Sequence, residues 1–473
     1  MLSKRLVKCA RLQIVIHGGR PIVGASCRVA TGAVQAEGSV GKITEPMRGS
    51  LKGLIDTQAP RGTRDFPPEE LRLRNWLFGE FATVSRLFGF EQWDAPVLES
   101  EELFVRKAGE EITDQLYNFE DKGQRKMALR PELTPSLARL VLQRQKTLPL
   151  PAKWWAIGQC WRYERMTRGR RREHYQWNMD IIGVAGVEAE AELLAAITLF
   201  FERVGLSSKD VGIKVSSRKV LQSVLEQYNL PSDLFAKVCI IVDKIEKLPR
   251  EQIEKELDAI GVPTETVQGV LSAMSIRSLE ELEKLLGPNS EAVSDLKHLF
   301  NLASGYGYSD WLVFDPSVVR GLAYYTGTVF EGFDREGKLR AICGGGRYDR
   351  LLGTFGGDDL PCTGFGFGDA VIVELLKDKG ILPEPKQKVD DLVLAMDESL
   401  RPQASGIASK LRKSGRSVEL VLENKKMKWA FKHAEKCHAD RLVLVGAEEW
   451  SRGCVSVKDL LKREQLEVPV NDL

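Results

Sequence analysis

The stretch that most constrains the fold of this chain is residues 153–183. It opens with an apolar run at 154–157 and closes with alternating polar and apolar residues at 175–182, and both patterns are typical of β-strands. The loop between the two strands is rich in arginine, with Arg165, Arg168, Arg170, Arg171 and Arg172. We therefore predict an antiparallel hairpin with a strongly cationic loop.

The two faces of the second predicted strand differ in character. Residues two apart share a face of a strand, so Gln176, Asn178 and Asp180 lie together. An antiparallel pairing with an even register adds Arg162 and Glu164 to this polar face. The opposite face carries Tyr175, Trp177, Met179 and Ile181. A solvated hairpin is the alternative, but so many large side chains on one face favour a buried site for an anionic ligand.

Length and composition set broad limits on the protein. With 473 residues, 43% of them hydrophobic and 28% charged, the chain suits a soluble globular protein of about two to four domains. No apolar run approaches the ~20 residues of a membrane-spanning helix, so we predict no membrane association. The cysteines and histidines show no CxxC, HxxxH or HExxH spacing, which predicts reduced structural cysteines and no metal site built from protein side chains.

The N-terminal segment differs from the rest of the chain in charge. Residues 1–55 hold nine Lys and Arg but only two Glu, whereas the whole chain carries a net charge of +2. No acidic residue precedes Glu37, and the basic residues are spread among small and apolar ones. A disordered basic tail is the alternative, but this composition is typical of an organelle transit peptide. We therefore predict a transit peptide over 1–50 and a location in plastids, mitochondria or both.

Composition changes along the chain predict four further segments. Residues 55–205 and 310–381 carry the strand patterns and the unusual polar motifs, and we interpret them as two parts of one core. Between them, residues 206–309 show amphipathic, charge-rich helical patterns and are predicted to be a mostly helical insertion. A proline-containing linker then precedes a last domain at 388–473.

A long helix is predicted at the start of the core. Pro67 and Pro68 suit its first turn, and Gly89 suits its end. One apolar stripe runs along it, formed by Leu73, Leu77, Phe81, Val84 and Phe88. An extended segment interrupted by Pro96 follows. The helix and this segment could be pure core or equally a subunit interface. Because the stripe exceeds what one small sheet needs, we predict a homodimer joined by the helix at 67–88 and the strand that follows it.

Several shorter elements are predicted around the polar motifs. Residues 116–119 and 126–129 form a hairpin, and Thr134 caps a helix whose first residue is Pro135. Glu132, just before that helix, is a carboxylate that could bind an ammonium group, although a lone Glu is ordinarily a surface residue.

Two glycine runs follow further along the chain. Strands are predicted at 328–333 and 339–343, and the glycine runs at 344–346 and 364–368 come after them. Glycine lets the backbone approach a ligand closely, but most such runs only mark turns.

The last domain alternates strands with helices, which predicts a small α/β unit with a largely parallel sheet. Its predicted elements are 391–396, 400–414, 417–422, 426–437 and 441–445. The surface is rich in cations: Lys410, Arg412, Lys413, Lys425, Lys426, Lys428 and Lys432. A solvated face explains such charges often; a polyanionic partner is the second interpretation.

Taken together, these motifs resemble those of the class II histidyl-tRNA synthetases of bacterial type, over nearly all of residues 55–465. The segment 62–66 (GTRDF) with the following helix resembles their dimerisation motif 1, and 129–132 (LRPE) with 161–165 (WRYER) resembles the motif 2 region. Residues 320–325 (RGLAYY) resemble the histidine-specific signature, and 344–348 (GGGRY) the strand end that follows it. The resemblance implies an α+β fold with an antiparallel-sheet catalytic core and a C-terminal anticodon-binding domain.

The resemblance also implies an activity and its substrates. Such enzymes activate L-histidine with ATP, accompanied by Mg²⁺, and transfer it to tRNA(His). The histidine-binding residues implied here are Glu132 and Thr134 at the α-amino group, and Gln176, Asp180, Tyr324 and Tyr325 around the rest of the amino acid. Arg162 would bind the ATP α-phosphate, Arg320 would be the catalytic arginine, and Arg347 would also contact ATP.

This chain departs from the family pattern at three positions. Ala323 and Asp180 stand where Asp and Glu are common. Val371 stands where class II enzymes usually have an arginine that clamps the γ-phosphate. Arg347 or an arginine of the 168–172 loop is a candidate to replace it.

Two other interpretations remain at this point. The first is a catalytically silent synthetase-like regulatory subunit of ATP phosphoribosyltransferase, but such proteins usually lack the anticodon domain and the catalytic signature. The second is a bare RNA-binding module, which leaves the acidic pocket from Glu132 to Asp180 unexplained. For Arg320, a purely structural ion pair with Asp315 is the alternative to a catalytic role.

Overall fold

A computed structural model describes residues 56–105, 113–231, 234–245, 248–320 and 324–473. The predicted transit peptide at 1–50 and the position of Ala323 lie outside these described residues.

The helices of the described residues are α1 (Pro68–Leu87), α2 (Glu102–Val105), α3 (Thr134–Arg144), α4 (Glu188–Arg203), α5 (Arg218–Gln227), α6 (Phe235–Val242), α7 (Arg250–Ala259), α8 (Thr264–Met274), α9 (Leu279–Leu286), α10 (Glu291–Tyr306), α11 (Leu351–Thr354), α12 (Asp369–Asp378), α13 (Arg401–Lys413), α14 (Met427–Lys436) and α15 (Ala447–Ser451). The strands are β1 (Glu91–Gln92), β2 (Leu98–Ser100), β3 (Tyr117–Glu120), β4 (Lys126–Leu129), β5 (Ala152–Trp161), β6 (Glu173–Ile182), β7 (Val211–Ser217), β8 (Leu312–Phe314), β9 (Thr328–Asp334), β10 (Cys343–Arg347), β11 (Cys362–Gly368), β12 (Asp391–Ala395), β13 (Val418–Leu420), β14 (Arg441–Val445), β15 (Cys454–Asp459) and β16 (Glu464–Pro469).

The core is built on one eight-stranded sheet, in the order β1-β5-β6-β11-β10-β9-β7-β8. Most neighbours are antiparallel, and only the outer pairs β1–β5 and β7–β8 are parallel. Helices α5–α10 lie in sequence between β7 and β8, as predicted for a helical insertion. Strand β7 falls inside the predicted insertion but belongs to the sheet, so the helical part begins at Arg218. The predicted α+β fold class is confirmed.

The hairpin predicted over residues 153–183 is formed by β5 and β6. Its register pairs Gly158 with Gln176 and Trp154 with Asp180. The backbone N–H of Arg162 donates to the carbonyl of Arg172 (2.8 Å), which continues this register one step beyond β5. Arg162 and Gln176 therefore share a face, as the even register predicts.

The apolar face of the hairpin packs on an aromatic core. Trp177 is fully buried and stacks on Phe81 of α1, with ring centroids 4.6 Å apart. Its indole N–H donates to the hydroxyl of Ser85 (2.9 Å), so the one polar atom of this large side chain is satisfied. Phe200 of α4 also packs on Phe81. The buried part of α1 thus belongs to the monomer core, and Gly89 follows its end with a φ of +74°.

Glycines alternate with phenylalanines along β11. Phe365 and Phe367 point into the aromatic core, whereas Gly364 and Gly366 lie on the opposite face. A Cβ atom at Gly364 would lie 1.9 Å from Oδ1 of Asp180, and one at Gly366 would lie 2.0 Å from Nε2 of Gln176. The glycines therefore leave room for side chains of β6 to lie flat across the sheet.

Two local predictions are wrong. The strand predicted at 339–343 is displaced, because β10 begins at Cys343 and runs through the glycines that follow. The predicted cap is also wrong, because Thr134 is the first residue of α3, Leu133 occupies the cap position, and no side chain caps the helix. Thr134 directs its hydroxyl to Tyr324 instead.

The C-terminal domain has a five-stranded sheet in the order β13-β12-β14-β15-β16. Its first three strands are parallel, and α13 and α14 connect them as the sequence predicts. The antiparallel hairpin of β15 and β16 was not predicted. Among the described residues, no helix combines the length and the apolar character that crossing a bilayer requires.

Candidate functional site

The polar face of β6, β10 and β11 forms the floor of a pocket, and the arginine-rich loop after β5 forms one wall. Most of the predicted site residues line it: Glu132, Thr134, Arg162, Gln176, Arg320, Tyr324 and Tyr325. Asp180 lies just below the lining, and Arg347 lies outside it.

Glu132 is a buried carboxylate and not the surface residue that a lone Glu suggests, because it is only 5% exposed. The hydroxyl of Tyr324 donates to its Oε2 (2.9 Å). Burial raises the pKa of Glu132, while Arg162, the Tyr324 hydroxyl and Arg320 oppose the shift. A carboxylate held this way, with a tyrosine hydroxyl on one oxygen, is well suited to an ammonium group.

Asp180 acts on the pocket through Tyr348. Tyr348 lines the pocket, and its hydroxyl donates to Oδ1 of Asp180 (2.5 Å). Burial raises the pKa of Asp180 to about 7, although this hydrogen bond works in the other direction. Its Oδ2 and the Oδ1 of Asn178 are buried without a hydrogen-bond partner among the described residues.

Arg320 is held in a conformation that is uncommon for a side-chain-bearing residue. Its φ is +52°, in the left-handed region. The guanidinium donates to Glu331 (2.7 Å). The expected alternative partner, Asp315, pairs instead with Lys214 (3.2 Å), so the interpretation of Arg320 as an Asp315 partner is wrong. Strained backbone of this kind concentrates at functional sites.

Arg218 fixes the backbone around Arg320, and sequence reasoning missed it. It is buried at the start of α5, and its guanidinium donates to the carbonyls of Val319 (2.9 Å), Tyr325 (3.2 Å) and Arg320. One planar guanidinium thus donates to three backbone carbonyls of the same loop. No sequence signal distinguishes this arginine, because it opens a helix of the charge-rich insertion.

The upper part of the pocket is strongly cationic. Arg162 donates to the carbonyl of Pro131 (2.9 Å) and still lines the pocket. Burial, together with Arg162, Arg64 and Arg340, lowers the pKa of His174 to about 3, so this histidine is neutral at physiological pH. The site therefore has buried acids at its floor and guanidinium groups above them, which fits a ligand with a cationic end and an anionic end.

Arg347 does not fit the expected contact with ATP. It is 5% exposed, and its guanidinium donates to both carboxylate oxygens of Glu190 (2.7 and 2.6 Å). It also donates to the carbonyls of Val184 (2.9 Å) and Gly186 (2.8 Å). All of its donor directions are used inside the core, so it holds β10 to the start of α4.

The arginine-rich loop is tied to α12. Arg168 pairs with Glu374 (3.1 Å) and Asp378 (2.6 Å) of that helix. Gly169 lies over Val371, because a Cβ atom added to this glycine would come 3.1 Å from Cγ2 of the valine. The loop thus closes directly on the position where arginine was expected.

One group of possible metal ligands occurs among the described residues, in the C-terminal domain. Donor atoms of Glu419, His433 and Cys437 lie within 4.8 Å of one another. Sequence spacing could not reveal this group because Glu419 comes from β13 and the other two from α14 and its end. His433 lies 2.5 Å from Glu419, and burial raises the pKa of the Cys437 thiol. A carboxylate–imidazole pair accounts for this arrangement on a helix whose other charges are mainly lysines.

The lysines of α14 form an exposed basic face. Lys428, Lys432 and Lys436 recur at every fourth residue, and all three are exposed. Their ammonium groups have no hydrogen-bond or ion-pair partner in the described part of the chain. Trp429 is 37% exposed beside them. Unpaired lysines next to an exposed aromatic ring fit a nucleic-acid surface.

Comparisons with known proteins agree with this geometry. A model of the histidyl-tRNA synthetase family matches residues 62–369, and an anticodon binding domain model matches residues 388–473. The chain is 60% identical over 448 residues to the histidine–tRNA ligase, chloroplastic/mitochondrial, of Arabidopsis thaliana, covering 94% of this chain and 92% of the relative. It is 37% identical over 418 residues to the histidine–tRNA ligase of Opitutus terrae, covering 87% and 96%.

Solved structures show the same architecture. The histidyl-tRNA synthetase of Nostoc sp. PCC 7120 superimposes with a TM-score of 0.72 at 27% identity, covering 88% of this chain and 98% of that one. An ATP phosphoribosyltransferase regulatory subunit/histidyl-tRNA synthetase from Bacillus halodurans C gives a TM-score of 0.67 at 22% identity, covering 80% and 97%. At that identity the second likeness concerns the fold alone.

Proposed function

We propose that this chain, which belongs to the histidyl-tRNA synthetase family, is a histidine–tRNA ligase that forms histidyl-adenylate from L-histidine and ATP and transfers the histidyl group to tRNA(His). The observation that carries the proposal is the pocket with two ends, in which Glu132 and Asp180 are buried below the guanidinium groups of Arg162 and Arg320. The ammonium group of an amino acid complements the acidic end, and the phosphates of a nucleoside triphosphate complement the cationic end.

At the acidic end, Glu132 and Thr134 bind the α-amino group of histidine, and the Tyr324 hydroxyl fixes the Glu132 carboxylate. The imidazole ring lies toward Gln176 and the Tyr348–Asp180 pair. A pocket that satisfies both ring nitrogens with buried polar partners rejects amino acids that lack them by about 10⁴-fold or more. Because Tyr348 lies between Asp180 and the pocket, the hydroxyl supplies the reach that the short aspartate lacks.

At the cationic end, the two arginines act on the reacting phosphate. A histidine carboxylate oxygen attacks the α-phosphorus, the bond to the β-phosphate oxygen breaks, and pyrophosphate leaves; ATP enters as its Mg²⁺ complex. Negative charge builds up on the α-phosphate oxygens, where Arg162 and Arg320 stabilise it. In the second step, a hydroxyl at the 3′ end of the tRNA attacks the adenylate carbonyl, and AMP leaves.

Three features extend the proposal beyond the pocket. The chain forms a homodimer through α1 and β1, because Leu87 is 60% exposed and β1 is an edge strand of the sheet. The basic face of α14 contacts the tRNA backbone. Residues 1–50 direct import into plastids, mitochondria or both, in keeping with their basic, acid-poor composition.

The test is histidine-dependent exchange between ATP and pyrophosphate by the purified chain lacking residues 1–50. The ligase exchanges label only when histidine is present and then charges tRNA(His). A regulatory subunit that senses histidine binds the amino acid without exchanging pyrophosphate. Histidine binding with no exchange in an otherwise folded protein therefore rejects the ligase in favour of the sensor.

A further inference from the structure

We infer that Arg340 supplies the cationic contact to the terminal phosphates of ATP that Val371 does not supply. The inference rests on the proposed ATP-dependent activation of histidine and adds a binding residue to it. Three observations lead to it: most of the other arginines near the pocket have acidic partners, position 371 is closed by the loop, and Arg340 lines the pocket with no ion-pair partner among the described residues.

Most arginines near the pocket already have acidic partners. Arg347 is buried against Glu190. Arg168 pairs with Glu374 and Asp378 on the outer side of α12, and Arg170 pairs with Glu164. These ion pairs must break before the same guanidinium groups bind a phosphate, which makes them poor candidates for an additional anion contact.

Position 371 has no room for a long side chain in this arrangement. Val371 is 5% exposed, and Gly169 covers it in a left-handed conformation (φ +71°). Because an added Cβ at Gly169 would already come 3.1 Å from the valine Cγ2, an arginine at 371 would need the loop to move. The closed loop is therefore compatible with valine at position 371 but not with arginine. The positive charge that an arginine would supply there has to come from another wall of the pocket.

Arg340 stands on that other wall. It lines the pocket two residues before Ile342, whose N–H donates to the carbonyl of Gly332 (2.8 Å) and anchors the segment to β9. The side chain is exposed toward the pocket and has no hydrogen bond or ion pair within the described residues. Partial desolvation by the pocket walls, together with the nearby Arg162 and Arg320, lowers its pKa, with Glu331 in opposition. Arg162 and Arg320 thus lie close enough to Arg340 for the three positive charges to repel one another.

Such an excess of positive charge is unfavourable until an anion arrives. A triphosphate carries several negative charges along a short chain, so Arg162 and Arg320 at the α-phosphate leave the β- and γ-phosphates for Arg340. The planar guanidinium can hold two phosphate oxygens at once. Arg171 also lines the pocket without a partner among the described residues, but it belongs to the connecting loop, whereas Arg340 stands three residues before a central strand.

The experiment compares ligands with and without the β- and γ-phosphates. Binding of ATP with Mg²⁺, of AMP and of a non-hydrolysable histidyl-adenylate analogue is measured by calorimetry on wild type, Arg340→Ala, Arg340→Lys and Arg171→Ala. Lys338→Ala is the matched control, because it removes a positive charge two residues away that already pairs with Glu336. Thermal melting establishes that each variant folds.

We expect Arg340→Ala to weaken ATP binding by about 10- to 100-fold, the range of a charge-assisted contact. Binding of AMP and of the adenylate analogue, which lack the β- and γ-phosphates, stays within about twofold on the same reasoning. KM for ATP in pyrophosphate exchange rises with the dissociation constant, Arg340→Lys recovers part of the loss, and Lys338→Ala changes nothing.

Three results overturn the inference. They are unchanged ATP binding in Arg340→Ala, an equal loss for ATP and AMP, and an ATP-specific loss that appears in Arg171→Ala instead. Each of these leaves the proposed function intact if wild type exchanges pyrophosphate. A wild-type protein that shows no histidine-dependent exchange rejects the proposed function itself.

Discussion

Replacing Gly344 by alanine should disable Arg320 without unfolding the protein. A Cβ atom at this position would lie 1.9 Å from Nη1 of Arg320, whereas ordinary van der Waals contact begins at 3.4 Å. The guanidinium must therefore retreat by about 1.5 Å. Because the clashing atoms are the end of a flexible side chain, the side chain moves and the strand backbone stays in place.

The magnitude follows from the role of that guanidinium. A misplacement of ~1 Å costs about 10²-fold in rate, and losing a donor to a developing anion costs ~10²–10³-fold. We expect single-turnover adenylate formation to slow by ~10²–10³-fold in Gly344→Ala. Arg320→Ala should show a similar loss, and Arg320→Lys should recover only part of it. Histidine affinity and the melting temperature should change little.

The decisive measurement is the double variant. If Gly344→Ala acts only by displacing Arg320, adding it to Arg320→Ala slows the reaction no further. The matched control is Gly79→Ala on α1, where an added Cβ meets no atom within 4 Å. Additive losses in the double variant refute the reasoning, and so does a large drop in melting temperature with normal turnover per folded molecule.

Other parts of the chain support four more predictions. Burial raises the pKa of Asp180 to about 7, so the folded chain keeps a proton that the unfolded chain loses near pH ~4. The melting temperature of wild type relative to Asp180→Asn should therefore fall as pH rises from about 4 to 7 and then level off, and a flat difference contradicts this. Replacing Lys428, Lys432 and Lys436 by alanine should weaken tRNA charging but not pyrophosphate exchange. The slope of log binding constant against log salt concentration for tRNA should also become shallower by ~0.7–0.9 for each phosphate contact that is lost. Equal loss of both activities would count against the assignment. Sedimentation at micromolar concentration should show a dimer that Leu87→Glu weakens, and a fully active wild-type monomer would exclude it. A reporter fused to residues 1–55 should enter an organelle, and a cytosolic reporter would reject the transit peptide.

The alternation of polar and apolar residues correctly predicted the strands in which every second side chain is buried. The hairpin of β5 and β6 and its polar face are confirmed, because Gln176 and Asp180 alternate with large apolar residues that bury against α1. Strand β14 has the bounds that its apolar run predicts. In such segments a single buried face determines both the element and its register.

The remaining features depend on contacts between distant segments. Strand β10 was displaced in the prediction because its glycines carry no hydrophobic signal, and pairing with β9 and β11 makes it a strand. The Tyr348–Asp180 hydrogen bond joins residues 168 positions apart, and Arg218 binds the carbonyl of Val319, which lies 101 residues further along the chain. Neither contact has a local pattern, so neither could be found from sequence spacing.

The glycine-lined floor makes the site unusually intolerant of gradual change. Gly344, Gly364 and Gly366 each lie where an added Cβ would displace the working end of a neighbouring side chain, namely Arg320, Asp180 and Gln176. Every other amino acid carries a Cβ, so no replacement at these positions is conservative. On the floor, any first step away from glycine moves a group on which the pocket's chemistry depends.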